Sequence, residues 1–369
     1  MASPKKGPVR GPPKGFSLTP LYNSAPSGLF VECEITDRHV AITAENTKTI
    51  YRNHVGTKSA SAYKRMCDIL VPLTANAQRI GTEEERKLLD QSIQLCQRLL
   101  IEVTLSEATK LVGRAEYEDA LPGSIQALRF SLEIYGSGRS ELIPCYILLA
   151  EANLGLSRFK QAEECLCNAN WILIKTRDND KKVKSILYRG FGRLYAAQGK
   201  REEALRQLAN DVYYSSLRVG PEHVDTSGGY FYMARVFQDM GKIDCALSLS
   251  DKVVDIWYRH LRDIAIAAAE AEERGDSGTK ELDDDQAIAG ADALQKILQM
   301  RESHLGLTHI AVGECFYVIS ILLQQVGDID GAIQNAEKAL PIYESQLGED
   351  NESTVEVAES LAALRGSRE

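Results

Sequence analysis

Small apolar residues recur along the chain at a fixed interval. Ala120, Ala162, Ala204 and Ala246 stand 42 residues apart, and Ala332 follows 86 residues later, close to two further periods. Each closes a similar phrase, as in Arg158-Phe-Lys-Gln-Ala162, Lys200-Arg-Glu-Glu-Ala204 and Asp328-Ile-Asp-Gly-Ala332. Twelve positions before each alanine stands a second small residue: Ala108, Ala150, Gly192, Ala234 and Ser320. Nine before it stands a large apolar one, Leu111, Tyr195, Phe237 or Leu323, with Asn153 the exception. Small, large, small at these offsets is how two antiparallel helices interlock, and strict repetition means stacked copies of one such pair. In the third copy the pattern predicts helices over 182–198 and 200–217, broken at Gly199. Gly241 and Gly327 hold the same place later and supply the left-handed backbone that ends a helix.

The stack extends beyond the ladder at both ends. Thr82-Glu-Glu-Glu85 reads as a capping box opening a helix that runs to about residue 104. Between Leu261 and Asp285 the rhythm lapses: an alanine-rich helical stretch over 264–274 is broken by Gly275-Asp-Ser-Gly278 and followed by acidic Glu281 to Asp285. This predicts an irregular acidic insertion over 261–285 inside a degenerate repeat. The pattern resumes as a helix over 286–304 and a hairpin over 309–346, and 352–365 reads as the terminal helix that shields the last apolar face. The expected fold is all-α, a superhelical solenoid over 82–366 built from ~42-residue repeats.

Everything before it needs another account. Residues 1–28 hold six of the eleven prolines and Lys5, Lys6, Arg10 and Lys14, with no acid, the composition of an extended basic arm. Residues 29–81 read as a small module with a strand near Phe30 and a helix from about Ser59. Its metal-ligand types are Cys33, His39, His54 and Cys67, with 5, 14 and 12 residues between them. A two-zinc module needs about eight Cys or His in tight pairs, so no zinc or other cofactor is expected.

Composition narrows the function. A formal net charge of −9 argues against a nucleic-acid binder, and no apolar run is long enough to cross a membrane. Eight cysteines are scattered without CxxC pairs, as in a protein of a reducing compartment. Cys165 and Cys167 fall on different faces of one helix and make a poor chelate. Gly190-Phe-Gly192 lies inside a predicted helix, where it serves packing and not phosphate binding. No HExxH, Walker loop or nucleophile elbow is present, and there is no strand-rich stretch for a SET methyltransferase. No catalytic residue is assigned, and a non-enzyme is expected.

The alanine phrases and the small–large–small offsets resemble the tetratricopeptide signature over roughly 100–365. The 42-residue period resembles the long-helix variant of kinesin light chains, with Gly136, Gly220, Gly306 and Gly348 matching the glycine after the second helix. That resemblance implies a concave groove lined by first helices, here Glu151, Arg189, Arg193, Arg235, Gln238, Tyr317 and Gln324. Three arginines on neighbouring helices suit an acidic or extended peptide. Leu148-Leu-Ala-Glu-Ala-Asn-Leu-Gly155, Leu208-Ala-Asn-Asp-Val-Tyr213 and Thr226-Ser-Gly-Gly-Tyr-Phe231, with Ala127-Leu-Arg-Phe130 and Asn168-Ala-Asn-Trp171, resemble the MYND-type zinc-finger domain-containing protein 12 family. His54 and Cys67 fall on finger-ligand positions, while Ile50 and Tyr63 stand where Cys and His would be, so the finger looks degenerate.

This resemblance implies a cytoskeletal protein of the ciliary or flagellar axoneme, made in the cytoplasm. Its partners would be a second tetratricopeptide axonemal protein, a single-headed inner-arm dynein heavy chain and the tubulin doublet, which the basic arm would contact. Nucleic acid and membrane are not expected partners. Two other scaffold roles stay open: a cytosolic co-chaperone or dynein assembly factor, and a kinesin-light-chain-like peptide-binding adaptor.

Overall fold

A computed structural model describes residues 104–177, 180–274 and 282–366, together with Glu83, Lys87, Arg98, Ile101 and Glu102. The basic arm, the 29–81 module and the breaker at 275–281 lie outside the described residues. Among those described, every regular element is a helix. The chain divides into two compact units, one ending at Gln198 and one beginning at Gly199.

In unit 1 a helical stretch over 104–113 precedes α1 (Tyr117–Tyr135), α2 (Ile143–Gly155), α3 (Phe159–Thr176) and α4 (Lys181–Ala197). Helices α2 and α3 form an antiparallel hairpin, α1 packs on α2, and α4 packs on both members of the hairpin. The core joins Ile125 and Leu128 of α1, Leu149 of α2, Leu166 of α3, and Leu187 and Leu194 of α4. Gly190 lets α4 close on α3, because a Cβ there would come within 2.8 Å of the Leu166 side chain.

Unit 2 contains α5 (Arg201–Val219), α6 (Val224–Asp239), α7 (Ile243–Arg274), α8 (Asp284–Leu305), α9 (Ile310–Gln325), α10 (Ile329–Leu347) and α11 (Glu352–Gly366). Its hairpins are α6–α7 and α9–α10; α5 packs on α6, α8 on α9, and α11 on α10. Helices α6 and α9 start alike: His223 and His309 each accept the backbone N–H two residues on at 3.2 Å. Asn351 does the same before α11 at 2.9 Å. Each cap lies three residues after the glycine that closes the preceding second helix, so the turn repeats with the helices.

The ladder alanines are the tightest points of both units. Ala120, Ala162, Ala204, Ala246 and Ala332 are all 0% exposed. The second small residue sits close by: Ser320 Oγ donates to the carbonyl of Ala332 at 2.8 Å. Five residues before each rung the chain turns through positive φ, at Ala115 (62°), Ser157 (57°), Gly199 (77°), Gly241 (72°) and Gly327 (82°). The next residue but one from the helix end then bonds back, as in Lys242 N–H to the Phe237 carbonyl at 2.9 Å, the closure of a helix by a left-handed residue.

The degenerate repeat has a rung after all. The other second helices ending in glycine carry their rung 16 residues earlier, and the same count back from Gly306 falls on Gly290 of α8. Gly290 is buried, and a Cβ there would lie 2.5 Å from the Trp257 ring. Glycine stands at this rung because the Trp257 ring leaves no room for a Cβ. The irregular insertion expected over 261–285 is also narrower than its sequence implies. Residues 261–274 complete α7, where Leu261 and Ile264 are buried and continue the stripe of Val253, Val254 and Trp257. Asp284 and Asp285 already belong to α8.

Candidate partner-binding surface

The seven groove residues all fall on first helices of pairs, as their register requires. Glu151 is on α2, Arg189 and Arg193 on α4, Arg235 and Gln238 on α6, and Tyr317 and Gln324 on α9. Glu151 and Arg193 occupy equivalent positions one 42-residue period apart, and they meet: Arg193 Nη1 lies 3.2 Å from Glu151 Oε1. Neighbouring first helices therefore stand side by side in unit 1, joined on their outer face by this pair. Both partners are about a quarter exposed, at 22% and 23%. Arg193 thus arrives at this face with its charge already balanced. Arg189, one turn earlier, is half-buried.

In unit 2, Arg235 is exposed on α6 with its guanidinium 6.0 Å from the Phe231 ring centroid, and Gln238 is half-buried one turn on. Gln324 is exposed near the end of α9. Tyr317 departs from the expectation. It is buried with Ala339, Tyr343 and Val357, so it is a packing residue and not groove lining. Its hydroxyl donates to Glu356 Oε1 at 3.2 Å, and Tyr258 donates to the same oxygen at 2.8 Å. The ring of Tyr317 lies 6.3 Å from those of Tyr258 and Tyr343. Burial, with the Glu356 charge beside it, holds the Tyr317 phenol above its ordinary range. These contacts tie α7, α9, α10 and α11 together. The register alone could not reveal them, since a first-helix tyrosine reads as solvent-facing until α11 covers it.

A second tie of unit 2 is Arg301, whose side chain is 1% exposed. Its Nη2 donates to Asp251 of α7 at 2.6 Å, and its Nη1 donates to the Ala311 carbonyl of α9 at 2.5 Å. Glu314 lies 3.6 Å from Nη1. Burial raises the Glu314 carboxyl above its ordinary value, with Arg301 opposing that shift.

Three thiols of unit 1 are held in the protonated form. Burial pushes Cys145 up to about 11 and Cys165 up to about 12, and it raises Cys167 as well. Such thiols stay protonated and poorly nucleophilic. Among the described residues no group of His, Cys, Asp or Glu is placed to hold a metal, and none of the helices is long and apolar enough to cross a membrane. Lys5, Lys6, Arg10 and Lys14, and Cys33, His39, His54 and Cys67, lie outside the described residues.

Stacked antiparallel pairs with alanine rungs define a tetratricopeptide-type repeat protein. Architectures of this type present extended surfaces to protein partners. No family model matches the chain. Solved structures similar to it include a Podosopora anserina protein described as a kinesin light chain with nearly identical TPR-like repeats. It has a TM-score of 0.29 and 19% identity, over 55% of this chain and 95% of that one. A point variant of that protein gives a TM-score of 0.36 and 15% identity, over 68% and 97%. BtubC (BKLC) from P. vanneervenii gives 0.32 and 15%, over 67% and 92%. At these TM-scores and identities none of the likenesses carries an argument.

Proposed function

We propose that the chain is a non-catalytic scaffold that docks protein partners along its first-helix surface. The observation that carries this reading is the Glu151–Arg193 pair. It joins equivalent positions of successive first helices, so polar side chains line up across repeats where a bound segment can run. In finer terms, the scaffold is a docking subunit of a ciliary inner-arm dynein. It binds a partner tetratricopeptide protein and the dynein tail and tethers them to the doublet microtubule through the arm of residues 1–28. What supports this is the resemblance of five sequence runs to the MYND-type zinc-finger domain-containing protein 12 family, and the absence of acid in an arm carrying Lys5, Lys6, Arg10 and Lys14.

The test has two parts. Capture of the tagged full chain from isolated cilia should bring down a dynein heavy chain and a tetratricopeptide protein. Recovery of neither sinks the axonemal role. Deleting residues 2–28 should abolish salt-sensitive co-sedimentation with microtubules, and unchanged co-sedimentation removes the tubulin contact from the arm. A peptide-binding adaptor of the kinesin-light-chain kind is the second reading, favoured by the exposed guanidinium of Arg235 on α6. It requires Arg235→Glu to abolish capture of acidic peptides.

A further inference from the structure

Charge is divided unevenly along the chain. Residues 302–364 hold eleven aspartates or glutamates and one lysine, enough to account for the whole net charge of −9. That lysine, Lys338, is turned onto α9, with its Nζ 5.4 Å from the Phe316 ring centroid. The cations bordering the stretch, Arg301 and Arg365, are paired with Asp251 and Glu337.

Within this stretch the open end of the α9–α10 hairpin gathers two exposed leucines. A Cβ on Gly313, near the start of α9, would lie 3.0 Å from Ile342 and 3.2 Å from Tyr343, near the end of α10. Leu307 stands three residues before α9 and Leu347 is the last residue of α10, so both belong to that end. Leu307 is 67% exposed, more than any other large apolar side chain among the described residues, and Leu347 is 42% exposed. The corner itself does not call for leucine, since the equivalent corners of unit 2 place Pro221 and Glu349 after their glycines. Glu344, Glu349, Asp350 and Glu352 are exposed at the same end. Capping does not occupy them, because Asn351 Oδ1 accepts the Ser353 N–H at the start of α11. None of the four has a cation within ion-pair distance among the described residues. Arg262 of α7 is engaged with the Tyr258 hydroxyl. His304 and His309 are also exposed here, and His309 is committed to the start of α9, where its Nδ1 accepts the Ala311 N–H.

We propose that this end of unit 2 is a docking surface for a basic polypeptide segment of a partner protein, which seats an apolar side chain on Leu307 and Leu347. One exposed leucine is ordinary on a protein surface; two at the open end of one hairpin, among carboxylates that no cation balances, have a definite complement. Charge complementarity names the occupant. The carboxylates steer lysines and arginines and turn polyanions away, and the leucines supply the apolar burial that holds the segment. Gln324 lies at the opposite end of α9, so this surface is separate from the groove positions of the first helices.

The probe is a fluorescein-labelled peptide of lysines and arginines with one central leucine, titrated against the full chain by anisotropy. Binding should weaken by at least about tenfold in Glu349→Lys/Asp350→Lys, a change worth about 1.4 kcal/mol. It should weaken by a few-fold in Leu307→Ser, and by a similar factor when the central leucine of the peptide is replaced by serine. It should also fall steeply with added KCl. Glu202→Lys/Glu203→Lys makes the same change of net charge in the exposed first turn of α5 and should leave binding nearly unchanged. Neutral Glu349→Gln/Asp350→Asn should fall between the wild type and the charge reversal. All these positions are exposed, and circular dichroism of each variant checks that the helices persist. Binding that survives the charge reversal at 349 and 350, or that is lost equally in Glu202→Lys/Glu203→Lys, overturns the proposal. So does equal affinity for the leucine and serine peptides. Deletion of residues 2–28 should leave the affinity unchanged; a gain would make the chain's own basic arm the occupant and overturn a partner in that place.

Discussion

The two units use one hairpin and close it differently. Unit 1 is held by small and aliphatic contacts: Ala162 against Ala150, Leu166 in the space left by Gly190, and one partly exposed ion pair across its first helices. Unit 2 places charge and phenols inside its stack, with Arg301 reaching from α8 to α7 and α9, and with Tyr258 and Tyr317 converging on Glu356. The cause is the degenerate repeat. Where α7 runs on through residues 261–274, Trp257 of that helix packs on the glycine rung of α8. A regular stack needs only alanine and leucine; an irregular one needs long side chains that reach.

Each unit has its own tryptophan, Trp171 in unit 1 and Trp257 in unit 2. Trp171→Phe and Trp257→Phe backgrounds therefore let urea unfolding of each unit be followed separately by fluorescence. The largest difference should come from Arg301→Ala, which leaves the Ala311 carbonyl without its donor and removes a wholly buried side chain. It should cost unit 2 about 2–4 kcal/mol, from the cavity and the unpaired carbonyl. Arg193→Ala, the nearest equivalent in unit 1, should cost about 1 kcal/mol or less, since its pair is partly solvated. Equal losses in the two units would erase the contrast between them. Arg301→Met separates charge from volume and should recover most of the loss.

Next in size is the missing rung. Gly290→Ala pushes a methyl into the Trp257 ring and should destabilise unit 2 by about 1–3 kcal/mol, read as a lowered urea midpoint in the Trp171→Phe background. A neutral result would mean that α7 and α8 yield easily and that the tryptophan does not set their approach.

The hairpin turns predict smaller effects of opposite sign. Unit 1 forces Ala115 and Ser157 into the left-handed region, where unit 2 uses Gly241 and Gly327. Ser157→Gly should stabilise unit 1 by about 0.5–1 kcal/mol, the relief of side-chain strain less the entropy glycine loses on folding. Gly241→Ser should cost unit 2 a similar amount, with nothing within 4 Å of the added Cβ to complicate it. Thermal midpoints measured on both variants test the pair.

The smallest effect depends on pH. Burial would raise the Asp225 carboxyl, but the hydrogen bond and charge of Arg218 outweigh it, with help from His223 and Gln286, and hold it below its ordinary value. A lowered carboxylate stabilises the fold above its unfolded pKa, about 3.9, and that contribution disappears as pH falls through the folded value. Arg218→Met should lower the urea midpoint of unit 2 modestly at pH 7, by less than about 1 kcal/mol given the exposure of the pair. The gap from wild type should close as pH falls below the folded value of Asp225. A gap that stays constant with pH would assign the effect to packing of the arginine stem.

Much of this architecture was legible along the chain. The rungs, the small residues twelve positions earlier and the turn glycines follow from local spacing, and the helices they predict agree with those observed to within two or three residues at most ends. The third repeat shows it: 182–198 and 200–217 were expected, and Lys181–Ala197 and Arg201–Val219 are found. Gly290 does not stand out in a ladder of alanines, but it lies 16 residues before Gly306, the interval shared by the other rungs. The candidate surface was legible only in part. Its residues lie on the expected helices, but spacing along one helix says nothing of what the next helix brings. Glu151 neutralises Arg193, and α11 covers Tyr317, through contacts 42 and 39 residues away in the chain.

The sequence by itself determined the period, the pairing of helices and the positions that must be small, because these depend on side-chain volume repeated at a constant interval. It also determined that the arm of residues 1–28 is basic while the chain as a whole is acidic. Only the tertiary structure decided which arginine is buried and which tyrosine is covered. The physical reason is distance. Packing within a hairpin is set by neighbours a turn or two away, whereas charge balance and exposure are summed over every helix that comes near.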